Sequence, residues 1–245
     1  MKTQLKELLV LPIITTFLFI SCAERPIYKL KSLDENVDFY KGNEIVSKDV
    51  ENIETILEFD DLTPQKYIFY LEIFNSGDKS ITIQPEKIFM EIFTKSKNIN
   101  TSKNGFYNKS VNPEIVLKSI DEEMENREDS HDLSTGLNLL GTFFSVAVDL
   151  ASDSDYKTEN VIGDIFIGVD NQINEEVDYD NDIESMNSEK HFWKTEVLRK
   201  TTLNANEQIG GLVFFPNFNG AKIIKVHIPV DGTVQTFLFK QIQIN

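Results

Sequence analysis

The sequence predicts a mainly β protein: an immunoglobulin-like β-sandwich carrying an acidic helical insertion. Three observations lead there. Apolar residues run at strand spacing from Tyr67 to Phe93 and again from Ile209 to Ile244. Between those stretches, Asn112-Pro113 opens a segment whose apolar residues fall at helical spacing. The same segment carries the charge, because residues 113–189 hold 21 acidic side chains against Lys118, Arg127 and Lys157. Neither β portion has strands enough to close a core alone, so the two must share one.

The first residues read as an export signal. Lys2 and Lys6 precede an apolar run from Leu8 to Ile20, and Ser21-Cys22 follows. That run is 13 residues, short of the roughly 20 a membrane-spanning helix needs. Phe19-Ile20-Ser21-Cys22 resembles a bacterial lipobox, with Phe19 where Leu is commonest and Ile20 bulkier than the usual small residue. The resemblance implies a signal peptide over 1–21, a diacylglyceryl thioether on Cys22 and an acylated new N-terminus. Cys22 is the only cysteine, so no disulfide staples the fold. Residues 22–36 read as a short polar tether, and 37–245 as one domain with its helical insertion at about 113–198.

Tyr67-Ile68-Phe69-Tyr70-Leu71-Glu72-Ile73-Phe74 is apolar on both faces apart from Glu72, as a central strand requires. Asn75-Ser76-Gly77-Asp78 is a turn, Ile81 and Ile83 alternate with polar residues, and Pro85 interrupts. Ile88, Met90 and Ile92 form a further strand, and Asn104-Gly105 is a tight turn within a polar stretch. In the insertion, Ile115, Val116, Ile120 and Met124 share one helix face. Further helices are expected over Leu137–Leu150, within Gly163–Gln172 and over Ile183–Leu198. Beyond Arg199, Ile209 to Phe215, Ile224 to Ile228 and Val234 to Ile244 are strands, with Asp231-Gly232 as a two-residue hairpin turn.

The net charge of −16 sits almost wholly in the insertion. That sign repels nucleic acid and anionic lipid head groups. It suits a solvated face.

The segments Phe74 to Glu86, Thr201 to Pro216 and Ala221 to Val230 with Phe237-Leu238-Phe239 resemble Bacteroidetes-type envelope lipoproteins with immunoglobulin- or telokin-like modules. The resemblance covers roughly 67–93 and 193–241. It implies a fold and brings no catalytic residues.

Candidate chemistry is sparse. Asp178, Asp180, Asp182 and Glu189 stand at positions 1, 3, 5 and 12 of a calcium loop, but Ile183 takes the glycine position. Asp149, Asp153, Asp155 and Glu159 form a weaker acidic cluster. His131, His191 and His227 have no metal-ligand spacing, and neither a His-Glu-x-x-His pair nor a Gly-x-Ser-x-Gly elbow occurs. Leu137 to Val148 is too short to span a membrane and reads as a covering helix. Trp193, the only tryptophan, reads as a core anchor where helix meets sheet. The expectation is therefore a non-enzymatic binding or structural lipoprotein of the cell envelope. It would be held in a bilayer by acylated Cys22, with an envelope protein or glycan as partner and no nucleic acid. Ala23 stands where Asp would mark inner-membrane retention, which favours the outer membrane. The alternatives are a hydrolase of envelope polysaccharide or peptide, and a module stabilised by Ca²⁺.

Overall fold

The computed structural model describes residues 27–95, 105–129 and 179–244. In chain order the strands are β1 (Ile27–Ser32), β2 (Val37–Tyr40), β3 (Asn43–Val50), β4 (Ile53–Leu62), β5 (Lys66–Asn75), β6 (Ile81–Ile83), β7 (Phe89–Phe93), β8 (Phe106–Lys109), β9 (Thr201–Leu203), β10 (Gln208–Pro216), β11 (Ile223–Val230) and β12 (Thr233–Ile244). Helices α1 (Pro113–Asp129) and α2 (Tyr179–Thr195) lie between β8 and β9. The protein is mainly β, as expected. One five-stranded sheet has the order β1-β12-β11-β7-β8, and a second has β10-β5-β4-β3-β2, with β6-β9 as a small pair. Residues Lys29–Ile242 form one compact unit; Ile27, Tyr28, Gln243 and Ile244 are the described residues of a smaller one.

One hydrophobic cluster draws on both five-stranded sheets. Phe69 of β5 is its centre, with ring centroids of Phe59, Phe215 and Phe239 at 5.7, 5.8 and 5.6 Å. Phe239 belongs to the first sheet, so this contact joins the two layers. The strand at Tyr67–Phe74 is central as expected, pairing antiparallel with β4 on one side and β10 on the other. The Tyr67 ring is fully buried and its hydroxyl donates to Gln241 Oε1 at 2.9 Å. Burial pushes that phenol's pKa well up.

Asn75 closes β5. Its buried side-chain amide donates to the carbonyls of Lys79, Leu203 and Asn204 at 2.8–3.2 Å, and its Oδ1 accepts from Gly77 N. The hairpin at Asp231-Gly232 has the expected left-handed backbone at both central residues, φ 48° and 83°. Helix α1 starts as expected, with Asn112 Oδ1 accepting the Glu114 N–H at 3.0 Å.

Four expectations are corrected. Residues 27–36 are not a tether throughout: Leu30 of β1 is in the core, and Asp34 accepts the Leu238 N–H and pairs with Lys48 at 2.8 Å. The regular β pattern begins before Tyr67, with β2, β3 and β4 in the part of the expected 37–245 domain for which no strand was named. The buried stripe of α1 keeps Val116, Ile120 and the partly buried Met124 as expected, but Leu117 takes the place of Ile115. Helix α2 stops at Thr195 instead of Leu198, because the following residues turn extended and pair with β10. Leu212 N donates to Glu196 O at 2.8 Å, and Leu198 N donates to Leu212 O at 2.9 Å. The expected helices over 137–150 and 163–172 lie outside the described residues.

Two substitutions test this frame. A methyl at Gly211 would sit 2.6 Å from Leu198 N and 2.9 Å from Leu198 Cα, both backbone. Gly211→Ala is expected to cost about 1–3 kcal/mol in urea unfolding. Gly210→Ala should cost less, since its methyl meets only the exposed end of the Tyr70 side chain. Equal costs would discount the backbone contact. Asn75→Ala strands three carbonyls and an amide, and about 3 kcal/mol of destabilisation is expected by the same measurement.

Candidate functional site

Strand alternation gives the second sheet an inner face toward the core and an outer face that helices cover only in part. The inner positions are Tyr67, Phe69, Leu71 and Ile73 of β5; the outer ones are Ile68, Tyr70, Glu72 and Phe74. At one end of the outer face, α1 and α2 pack over Ile68, Leu212 and Phe214. Trp193 is the anchor there, 1% exposed, with its ring 5.4 Å from Phe214. That placement is the one its sequence context suggested.

Among the described residues, no element covers the other end of the face. Glu54, Ile56, Glu72, Phe74 and Gln208 line a shallow groove of about 260 Å³. The register explains the mixture. One row across the strands reads Ser47, Ile56, Glu72, Gly210; the next reads Asp49, Glu54, Phe74, Gln208. A third brings Ile45, Glu58, Tyr70 and Leu212 into line. Carboxylates and apolar side chains therefore alternate across the sheet, and these rows contain no Lys or Arg. The Tyr70 phenol registers the resulting field. Its pKa is raised by burial first, then by the charges of Glu72, Glu58 and Glu196.

A charged pair lies at the covered end, one step beyond Ile68 and Phe214 from the groove. The Lys66 ammonium lies 4.5 Å from the Phe214 ring centroid. Burial pulls its pKa down, and the nearby Glu189 carboxylate opposes that. Burial pushes the Glu189 pKa up, opposed by the Trp193 indole and by Lys66. Trp193 Nε1 and Glu189 Oε1 are both buried, and neither meets a partner in hydrogen-bonding geometry. The indole thus acts on the carboxylate as a nearby dipole.

The outer face of the first sheet holds a second polar cluster. Lys225 Nζ and His227 Nε2 each lie 3.6 Å from Glu91 Oε2, and the Tyr107 hydroxyl donates to Glu91 Oε1 at 3.4 Å. His227 Nδ1 is 3.0 Å from Thr236 Oγ1, and Phe89 stacks on the imidazole at 4.5 Å and 15°. Burial lowers the His227 pKa against the pull of Glu91. Sequence reasoning passed over Glu91 and His227 as a pair because they come from different halves of the chain. The available signal was that both stand at outward positions of alternating strands.

The sequence-derived candidates are scattered. Cys22, Asp149, Asp153, Asp155, Glu159, His131 and Asp178 lie outside the described residues. Asp180, Asp182 and Glu189 fall on α2, not in a loop. A helix rises about 1.5 Å per residue, so the backbone positions of Asp180 and Glu189 are separated by roughly 14 Å along the axis. Among the described residues no group of three or more His, Asp or Glu is placed to hold a metal ion, and Asp178, the first position of the expected loop, lies outside them. His191 is exposed on α2, where Ile183, Glu184, Asn187, Ser188 and His191 line an open depression of about 520 Å³. No described helix is long and apolar enough to cross a membrane. Compared with known proteins, the chain matches no family model, no curated protein and no solved structure.

The Glu189 environment sets a pH dependence. A carboxyl whose folded pKa is raised binds its proton more tightly in the native state, so stability falls as pH rises from its ordinary 4.5 through the raised value. Glu189→Gln is expected to remove that fall from a plot of Tm against pH. Parallel curves for the two proteins would refute the assignment.

Proposed function

We propose that the protein is a lipid-anchored, extracytoplasmic binding module of the cell envelope that catalyses no reaction. In this reading the two sheets form an immunoglobulin-like sandwich, and residues 113–189 are an acidic insertion into it. Cys22 carries the lipid and holds the domain at a membrane, the outer membrane being favoured by Ala23. The family suggested by the Thr201–Pro216 segment, envelope lipoproteins of the Bacteroidetes type, agrees with this reading.

The observation that carries the binding role is the outer face around Ile56 and Phe74, which no described element covers. It is open and broad, not a cleft converging on one atom. Half-buried apolar side chains there lose water cheaply, while Glu54, Glu58 and Glu72 around them set the sign of the partner. A protein surface presenting Lys or Arg around an apolar centre is the complement. The charge pattern steers the encounter, and Ile56, Phe74 and Tyr70 supply the contact area.

Site-directed photocrosslinking in intact envelopes tests the role. A benzophenone side chain at Phe74 is expected to give a discrete protein adduct that disappears when Glu54 and Glu72 are both changed to Lys. The same probe at Val234, on the other sheet, is expected to give none. Identical adducts from the two positions, or an adduct indifferent to the charge reversal, would exclude this face as the binding surface. Palmitate incorporation that is lost in Cys22→Ser tests the anchor separately.

A further inference from the structure

One end of the Lys29–Ile242 unit differs from the rest of its surface. The β2–β3 hairpin turns there through Lys41 and Gly42, both with positive φ. Asn43 Nδ2 donates to Glu58 Oε1 at 2.6 Å and ties the hairpin to β4. Strand β4 runs on to the turn in which Thr63 N donates to Lys66 O. Asn217, in the β10–β11 loop, donates from its backbone to Gln65 O at 2.9 Å and from its side chain to Thr63 O at 3.1 Å. Phe218 of the same loop packs on Phe106 at the start of β8, ring centroids 4.6 Å apart. Hydrogen bonds and ring contacts thus join these turns into one surface.

That surface carries Phe39, Tyr40, Phe106 and Tyr107, which are 72, 57, 50 and 67% exposed. Single exposed apolar residues are ordinary, but here they stand in two pairs at the same end, Phe39-Tyr40 on the β2 edge of one sheet and Phe106-Tyr107 on the β8 edge of the other, so the end is rimmed by aromatics on both sides. At the opposite end, the β3–β4 and β11–β12 hairpins expose Val50 and Val234, and no exposed aromatic stands among their described residues.

The course of the chain says what that rim faces. Ser32 N donates to Glu44 Oε2, and Asp34 reaches Lys48. Following the chain from Ser32 to Asp34 therefore moves away from the Tyr40–Asn43 turn. Traced backwards, β1 leads toward that turn, so Lys29 lies at the aromatic end. Lys29 follows Cys22 by seven residues, a fully extended reach of about 25 Å. A lipid on Cys22 would be tethered nearest to this end.

We infer that the Phe39, Tyr40, Phe106 and Tyr107 end rests in the interfacial layer of the bilayer. Aromatic rings with one apolar body and one wet edge partition to that layer. Lys41, with its ammonium 5.0 Å from the Tyr40 ring centroid, faces head-group phosphate, while Asp60 and Asp61 nearby prevent selection for anionic lipid. This inference rests on the anchored reading of Cys22 and adds an orientation: the aromatic end down, the acidic outer sheet face to the side.

The test uses the full chain, processed by its own host and reconstituted in phosphatidylethanolamine–phosphatidylcholine vesicles with brominated acyl chains. Phe39→Trp and Phe106→Trp each add a reporter to the buried Trp193, and Tyr70→Trp supplies a control on the sheet face. The added emission at positions 39 and 106 is expected to be quenched by roughly half, and that at 70 to be unaffected. Unquenched emission at 39 and 106 overturns the inference, including where it is blue-shifted, since a protein is then the cover. Palmitate labelling is scored on the same samples. Quenching without label sinks the anchor but keeps the membrane-facing end, whereas label without quenching keeps the anchor and sinks the orientation.

Discussion

Everything in this fold depends on the pairing of β5 with β10. β5 belongs to the N-terminal β portion and β10 to the C-terminal one, and their antiparallel register runs unbroken from Phe74 opposite Gln208 to Lys66 opposite Pro216. Without it, the second sheet loses an edge, Phe69 loses Phe215, and the helices lose Phe214, the side chain on which Trp193 and Phe192 close. The contact is non-local, so its loop-closure entropy must be met before any of the core is gained. Folding order should follow: local hairpins such as β3–β4 and β11–β12 first, the joining of the two halves last.

The division of the outer sheet face follows from the same pairing. Where β10 brings Leu212 and Phe214 beside Ile68, the surface is apolar enough to require a cover, and α1 and α2 provide it. Where it brings Gly210 and Gln208 beside Glu72 and Phe74, the surface tolerates water. Lys66 and Glu189 lie at the covered end, beyond Ile68, each half-buried and each favouring the other's charged form against the cost of desolvation.

Much of this was legible in the chain. The β5 run, the Asp231-Gly232 turn and the Asn112-Pro113 helix start each rest on a local rule, and each appears where the rule puts it. Misses came where a polar residue masked a buried neighbour. Leu30 lies between Lys29 and Lys31, as suits an edge strand guarded against further pairing, and so read as tether. In β4, Ile53 and Leu57 flank the fully buried Thr55, whose hydroxyl weakened the alternation. The calcium-loop spacing was an ambiguous signal, because carboxylates at alternate positions are equally compatible with a solvated helix and Ile183 stands where the sharp turn of such a loop takes glycine. The Glu91–His227 cluster was invisible for another reason: β11 lies beside β7 only after the two halves have joined.

The attachment of the helical segment has a consequence of its own. Val111 N donates to Phe214 O just before α1, and Leu198 N donates to Leu212 O just after α2. Both stems therefore grip the free edge of the same strand, at carbonyls two residues and about 7 Å apart. The edge is capped along Leu212–Phe214, which closes that stretch to a foreign strand. The gap to be bridged is also fixed by β10 and not by what bridges it. Closure entropy grows only slowly with loop length, so the segment behaves as a cassette. The part between the two helices can change in length at little cost in closure, while α1 and α2 stay held on Phe214.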